Sequence, residues 1–129
     1  MKLGLHAGFA GLALAAALML PQAASAEIKI GVPVVLLHGF TGSASGWADV
    51  ASALAPEFEV IAIDIVGHGQ SDAPEDVARY AMRRVVDDLA ATLRALGHER
   101  ATWLGYSMGG RTALQVAVVL STTSPLMLV

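Results

Sequence analysis

Six residues, Gly105-Tyr106-Ser107-Met108-Gly109-Gly110, restrict this chain more than any other stretch. The apolar run Ala101-Thr102-Trp103-Leu104 leads into them, and a helical pattern starting near Met108 leads out. The result is a G-x-S-x-G pattern set between strand and helix, the context in which it acts as a nucleophile elbow. A serine hydroxyl is presented when the backbone turns so tightly that Oγ stands clear of the sheet edge. Such a turn strains the serine, and bulk at Gly105 or Gly109 would force strand and helix apart. The helix that begins after Ser107 points free N–H groups at any negative charge developing there. The plainer alternative is an ordinary strand-to-helix turn with a capping serine.

The segments before the elbow alternate in type. Val32-Pro33-Val34-Val35-Leu36-Leu37 is a nearly continuous apolar run, as expected of a parallel strand buried on both faces. It opens into the small and polar loop His38-Gly39-Phe40-Thr41-Gly42-Ser43. Trp47, Val50, Ala51 and Leu54 then share one face of a short helix that Pro56 ends. Val60-Ile61-Ala62-Ile63 is a second buried strand, closed by Asp64 and followed by the loop Gly67-His68-Gly69-Gln70-Ser71-Asp72. Met82, Val85, Val86, Leu89, Leu93 and Leu96 recur at helical spacing, and Gly97 is a natural stop. Arg83, Arg84, Asp87, Asp88 and Arg94 lie elsewhere on that helix and read as a solvated face. The apolar helix after the elbow is expected to run to Leu120. Glu27 to Ile30 reads as a short edge strand and Pro125 to Val129 as the opening of a further strand. This order predicts an α/β fold, an open and mostly parallel sheet with flanking helices.

The 129 residues allow one domain. Its start has the features of a secretory leader: Lys2, the apolar run Ala7 to Leu20, and the A-x-A site Ala24-Ser25-Ala26. A signal peptide over 1–26 and a mature domain over 27–129 are therefore expected, with export to the periplasm or beyond and no stable membrane insertion after cleavage. An uncleaved anchor is the alternative; the run is short against the roughly 20 residues of a bilayer span. Without Lys2 the mature chain has 7 basic and 11 acidic residues, a net charge of −4. That mild acidity gives no reason to expect nucleic acid as a partner. The absence of cysteine removes disulfides and thiolate metal sites.

In an open parallel sheet, ligands bind beyond the carboxyl ends of the strands. The His38 loop, the Gly67 loop and the elbow all meet that edge. The backbone N–H groups of Phe40 and Met108 are candidates for an oxyanion hole beside Ser107. His38 reads as a structural histidine bracing its loop. Tyr106 and Trp47 are candidates for a pocket wall, or equally for core.

These motifs, H-G-F-T-G-S (His38 to Ser43), D-x-x-G-x-G-x-S (Asp64 to Ser71), R-Y-A-M (Arg79 to Met82) and G-Y-S-M-G-G-R (Gly105 to Arg111), resemble the α/β-hydrolase family. Within it they are most similar to the synthases that eliminate pyruvate from a cyclohexene polycarboxylate in menaquinone biosynthesis. The resemblance implies Ser107 as catalytic base, Phe40 and Met108 as oxyanion donors, and Arg111 and Tyr106 as substrate contacts. It also implies a small carboxylate or ester substrate, with no metal and no organic cofactor. Arginine suits Arg111's role because its planar fork pairs bidentately with a carboxylate.

The family order is serine, acid, histidine, and no Asp, Glu or His follows Ser107 in this chain. The expectation is an incomplete core, without the cap and later strands of its relatives and with little activity alone. An exported ester hydrolase and an inactive carboxylate-binding remnant are the alternatives to the synthase. A pathway substrate would be met in the cytoplasm, which conflicts with a leader unless that start is artificial.

Overall fold

The computed structural model describes residues 31–121. The expected leader and the segments 27–30 and 122–129 lie outside the described residues. Three four-residue strands form one sheet: β1 (Val34–Leu37), β2 (Val60–Ile63) and β3 (Thr102–Gly105). All pairings are parallel and the order is β2-β1-β3, with Val35 opposite Ile61 on one side and Trp103 on the other. Three α-helices flank it: α1 (Ala48–Leu54), α2 (Met82–Ala95) and α3 (Met108–Ser121). Short 3-10 turns, Ala44–Trp47 and Val77–Tyr80, precede α1 and α2.

The continuous apolar strands are explained by cover on both faces. Val35, Leu37, Ile61, Ile63 and Trp103 pack with Val86, Leu89 and Leu93 of α2 and Val116 of α3. The alternate residues Val34, Leu36, Val60 and Ala62 meet Ala44 and Ala51, with Trp47 and Leu54 against them. Side chains alternate along each strand, so a strand with a helical layer on each side needs apolar residues at every position. Only β3 breaks the pattern. Its Trp103 is buried, whereas Leu104 on the opposite face is 40% exposed because α1 does not reach that edge.

Two expectations need correction. Val50 and Met82, expected on the apolar stripes of α1 and α2, are exposed, and Ala51 with Leu54 carries the contact of α1. The charged face of α2 is not uniformly solvated either. Arg83 and Asp87 form an exposed i,i+4 pair at 3.2 Å. Asp88, however, turns inward and accepts two bonds from Arg79 Nη2, at 3.0 and 3.1 Å. Burial raises the Asp88 acid above the usual carboxylate range, against the pull of Arg79. The helix ends as its sequence predicts: Gly97 N–H donates to Arg94 C=O and His98 N–H to Leu93 C=O, a Schellman closure.

The start of α2 lacks its cap. Ala81 occupies the N-cap position in an extended conformation and has no side chain to accept a bond. Ala81→Ser is expected to stabilise the chain by about 1 kcal/mol. Leu89→Ala, in the core, is expected to cost about 2–5 kcal/mol, whereas Arg83→Ala at the exposed pair should stay within about 0.5 kcal/mol. Urea unfolding of the three variants measures all of these.

Candidate functional site

The carboxyl ends of the three strands bring the predicted residues together. Tyr106 N–H donates to Leu37 C=O at 3.0 Å, extending the β1–β3 pairing by one step. The next residue, Ser107, has φ +55°, the sole positive φ at a non-glycine among the described residues. That left-handed conformation costs about 1–3 kcal/mol in a residue with a side chain and persists only when its surroundings enforce it.

The enforcement is steric. A Cβ on Gly109 would collide with the backbone of Leu37 and His38, and one on Gly105 with the backbone of Gly109. α3 therefore lies directly against the end of β1, backbone on backbone, and both elbow glycines are required. Gly109 N–H donates to Tyr106 C=O and Arg111 N–H to Ser107 C=O, starting the helix immediately after the serine.

The loop after β1 closes over this turn. A Cβ on Gly39 would lie 3.6 Å from Ser107 Cβ and 3.0 Å from the Tyr106 ring. Among the described residues, neither the Phe40 N–H nor the Met108 N–H meets an acceptor, and Ser107 Oγ has no partner. Phe40 and Tyr106 are 71% and 69% exposed. A cavity of about 320 Å³ is lined by His38, Gly39, Thr41, Ser43, Trp47 and Tyr106. Tyr106 thus takes the pocket-wall alternative, and Trp47 serves as both wall and core. Arg111 is exposed on the first turn of α3 and does not line this cavity.

His38 is buried and holds its loop, as its sequence context suggested. Its Nε2 accepts from Ile65 N–H at 3.0 Å, so Nδ1 bears the proton and donates to Gly39 C=O at 2.7 Å. Burial lowers its pKa below the usual histidine value, and nearby His68 adds to the effect.

Asp64 and His68, to which no motif assigns a task, join the loops. Asp64 Oδ1 accepts from Ala44 N–H at 2.7 Å and Oδ2 from Gln70 N–H at 2.9 Å. Ser71 Oγ donates to Asp64 C=O at 2.6 Å. The carboxylate fills the space a side chain at Gly69 would take. His68 Nε2 reaches Phe40 C=O at 2.6 Å. The signal was the spacing D-x-x-G-x-G-x-S, in which the carboxylate can reach a loop amide six residues on and the serine hydroxyl can return to the aspartate carbonyl. His98, at the other end of the sheet, pairs with Glu59 at 3.0 Å. Among the described residues, no three His, Cys, Asp or Glu side chains converge on a metal position.

Comparison with known proteins matches residues 32–122 to the alpha/beta hydrolase fold. A putative 2-succinyl-6-hydroxy-2,4-cyclohexadiene-1-carboxylate synthase of Bacillus subtilis is 45% identical over 85 residues, which are 66% of this chain and 31% of that protein. Among solved structures, an epoxide hydrolase from an endophytic Streptomyces superposes with TM-score 0.70 at 33% identity, over 78% of this chain and 31% of its own. An N-acyl homoserine lactone degrading enzyme does so with TM-score 0.64 at 38% identity, over 70% and 34%. The chain thus spans about a third of the length of these relatives.

Asp64→Ala should leave the buried Ala44 N–H unpaired and cost about 1–3 kcal/mol in urea unfolding. His38 gives stability a pH dependence of definite sign. The unfolded chain takes up this proton near pH 6.5 and the folded chain only at lower pH. The unfolded state then holds more protons, so stability falls as pH is lowered from 6.5 towards the folded value. His38→Asn should remove that component of the unfolding profile.

Proposed function

This chain belongs to the alpha/beta hydrolase fold family, and from that premise we propose that it carries the nucleophile half of a serine-based active site for small carboxylate or ester substrates. One observation carries the reading: Ser107 is held at φ +55° between strand and helix. The Phe40 and Met108 N–H groups beside it form the oxyanion hole. An oxyanion forming at a substrate carbonyl gains these two donors and the positive end of α3 at once.

The preferred reaction is elimination of pyruvate from a cyclohexene polycarboxylate, with Ser107 removing the proton and no cofactor taking part. Likeness to the Bacillus subtilis protein supports it. So does Arg111, an exposed guanidinium one turn from the serine with no carboxylate partner among the described residues. A substrate carboxylate would pair with its fork. The second reading, ester hydrolysis with Ser107 as covalent nucleophile, is favoured by the cavity, whose lining includes no ionised side chain and suits an uncharged acyl group. On either reading a base must activate Ser107, and no histidine or carboxylate follows it in the chain. Removing a triad member typically leaves about 10³–10⁴-fold catalysis over water, so weak activity is proposed for the chain by itself.

Pyruvate release from the polycarboxylate and hydrolysis of a 4-nitrophenyl ester separate the two readings. Ser107→Ala should abolish whichever is present, together with labelling by a serine-directed phosphonate. Arg111→Ala should raise KM for the polycarboxylate about tenfold or more, the worth of a charged hydrogen bond, and leave ester KM unchanged. Unaltered polycarboxylate kinetics would remove the synthase reading.

A further inference from the structure

The Gly39 carbonyl and the Phe40 N–H belong to one peptide group. In a trans peptide they point in opposite directions, so whatever holds the carbonyl aims the N–H. Two donors hold it: His38 Nδ1–H at 2.7 Å and Gly42 N–H at 2.9 Å. The imidazole can serve only as the Nδ1–H tautomer, because Nε2 is occupied by the Ile65 N–H at 3.0 Å. A chain of hydrogen bonds therefore runs from the Ile65 amide at the end of β2, through the ring, to the peptide that bears the Phe40 N–H. Each bond polarises the next, so a carbonyl that accepts two bonds makes its own N–H a stronger donor.

We propose that neutral His38, fixed in its Nδ1–H tautomer by the Ile65 amide, is a positioning residue that aims and strengthens the Phe40 N–H. The proposal rests on the reading of Phe40 as an oxyanion donor. It gives His38 a task beyond bracing a loop and explains why a buried imidazole sits beside a catalytic serine without acting as its base: both ring nitrogens are already engaged. Protonation would place a hydrogen on Nε2, expel the Ile65 amide and release the relay. The groups facing the ring are His68 and Asp64 from the loop after β2, the former with its ring centroid 4.9 Å away, and Tyr106 of the elbow lines the same cavity. His68 and Asp64 act on His38 in opposite senses, His68 against its protonation and Asp64 in favour.

Long-range proton–nitrogen NMR on the ¹⁵N-labelled chain tests this directly. At neutral pH the His38 ring should show a protonated Nδ1 and a bare Nε2. On acidification the Ile65 and Phe40 amide resonances should move along the His38 curve. A protonated Nε2 at neutral pH, or a Phe40 amide indifferent to that titration, would overturn the proposal. In ester turnover, His38→Asn keeps a donor near the Nδ1 position and should retain kcat within about threefold. His38→Leu should lose about 10- to 100-fold in kcat at unchanged KM, short of the loss of a whole oxyanion donor. Equal losses in both variants would count against positioning. If His38→Leu fails to fold, the spectrum of the unsubstituted chain decides alone. Ester turnover indifferent to Ser107→Ala would strike the oxyanion reading, and with it the catalytic consequence, while the amide titration would still report whether the relay exists.

Discussion

Everything at the carboxyl edge depends on one close approach, the backbone of Gly109 against the carbonyls of Leu37 and His38. Contact at this distance admits no side chain, and it fixes where α3 starts relative to β1. With strand and helix ends so near, the intervening residues turn through a conformation that a serine adopts only under constraint. The strain is thus a result of packing, located at Ser107 between the two elbow glycines. The two free N–H groups follow from the same contact, because it sets the first turn of α3 beside the loop that leaves β1.

The loops at this edge also hold one another. The Asp64 carboxylate ties the turn before α1 to the Gly69 loop. His38 ties the first loop to Ile65, and His68 returns a bond to Phe40. These contacts link segments 20 to 28 residues apart in sequence. Polar groups taken out of water must find partners, and here Asp64, His38 and His68 each find one in another loop, so satisfying them also sets the geometry.

Much of this was legible in the residues. Continuous apolar runs identified β1 and β2 as doubly covered strands, the spacing from Met82 to Leu96 identified α2, and glycine placement identified the elbow. The loop after β1 and the elbow come together through Gly39, against Tyr106 and Ser107, whereas Arg111 stands apart from the cavity. The shortfall has a common cause. Asp64, His68 and Asp88 act through partners distant in the chain, and periodicity reports only which face a residue occupies. Asp88 sits at a polar position by spacing, but Arg79 draws it inward from a turn the helix pattern does not describe. Val50 is exposed because α1 is a short helix whose buried side is narrow, and Ala51 and Leu54 fill it.

The parallel pairing of the sheet also bears on how the chain reaches this state. β1 must find β3 across 68 residues, Leu37 opposite Gly105. Local helix formation cannot substitute for that encounter. Closing so long a loop carries an entropic cost before any contact repays it, and folds rich in such pairings form slowly. The conformation of Ser107 depends on that pairing as well: φ +55° comes just after the end of β3 and is held only where α3 meets the end of β1. The strained turn therefore belongs to the completed topology rather than to any one helix or strand.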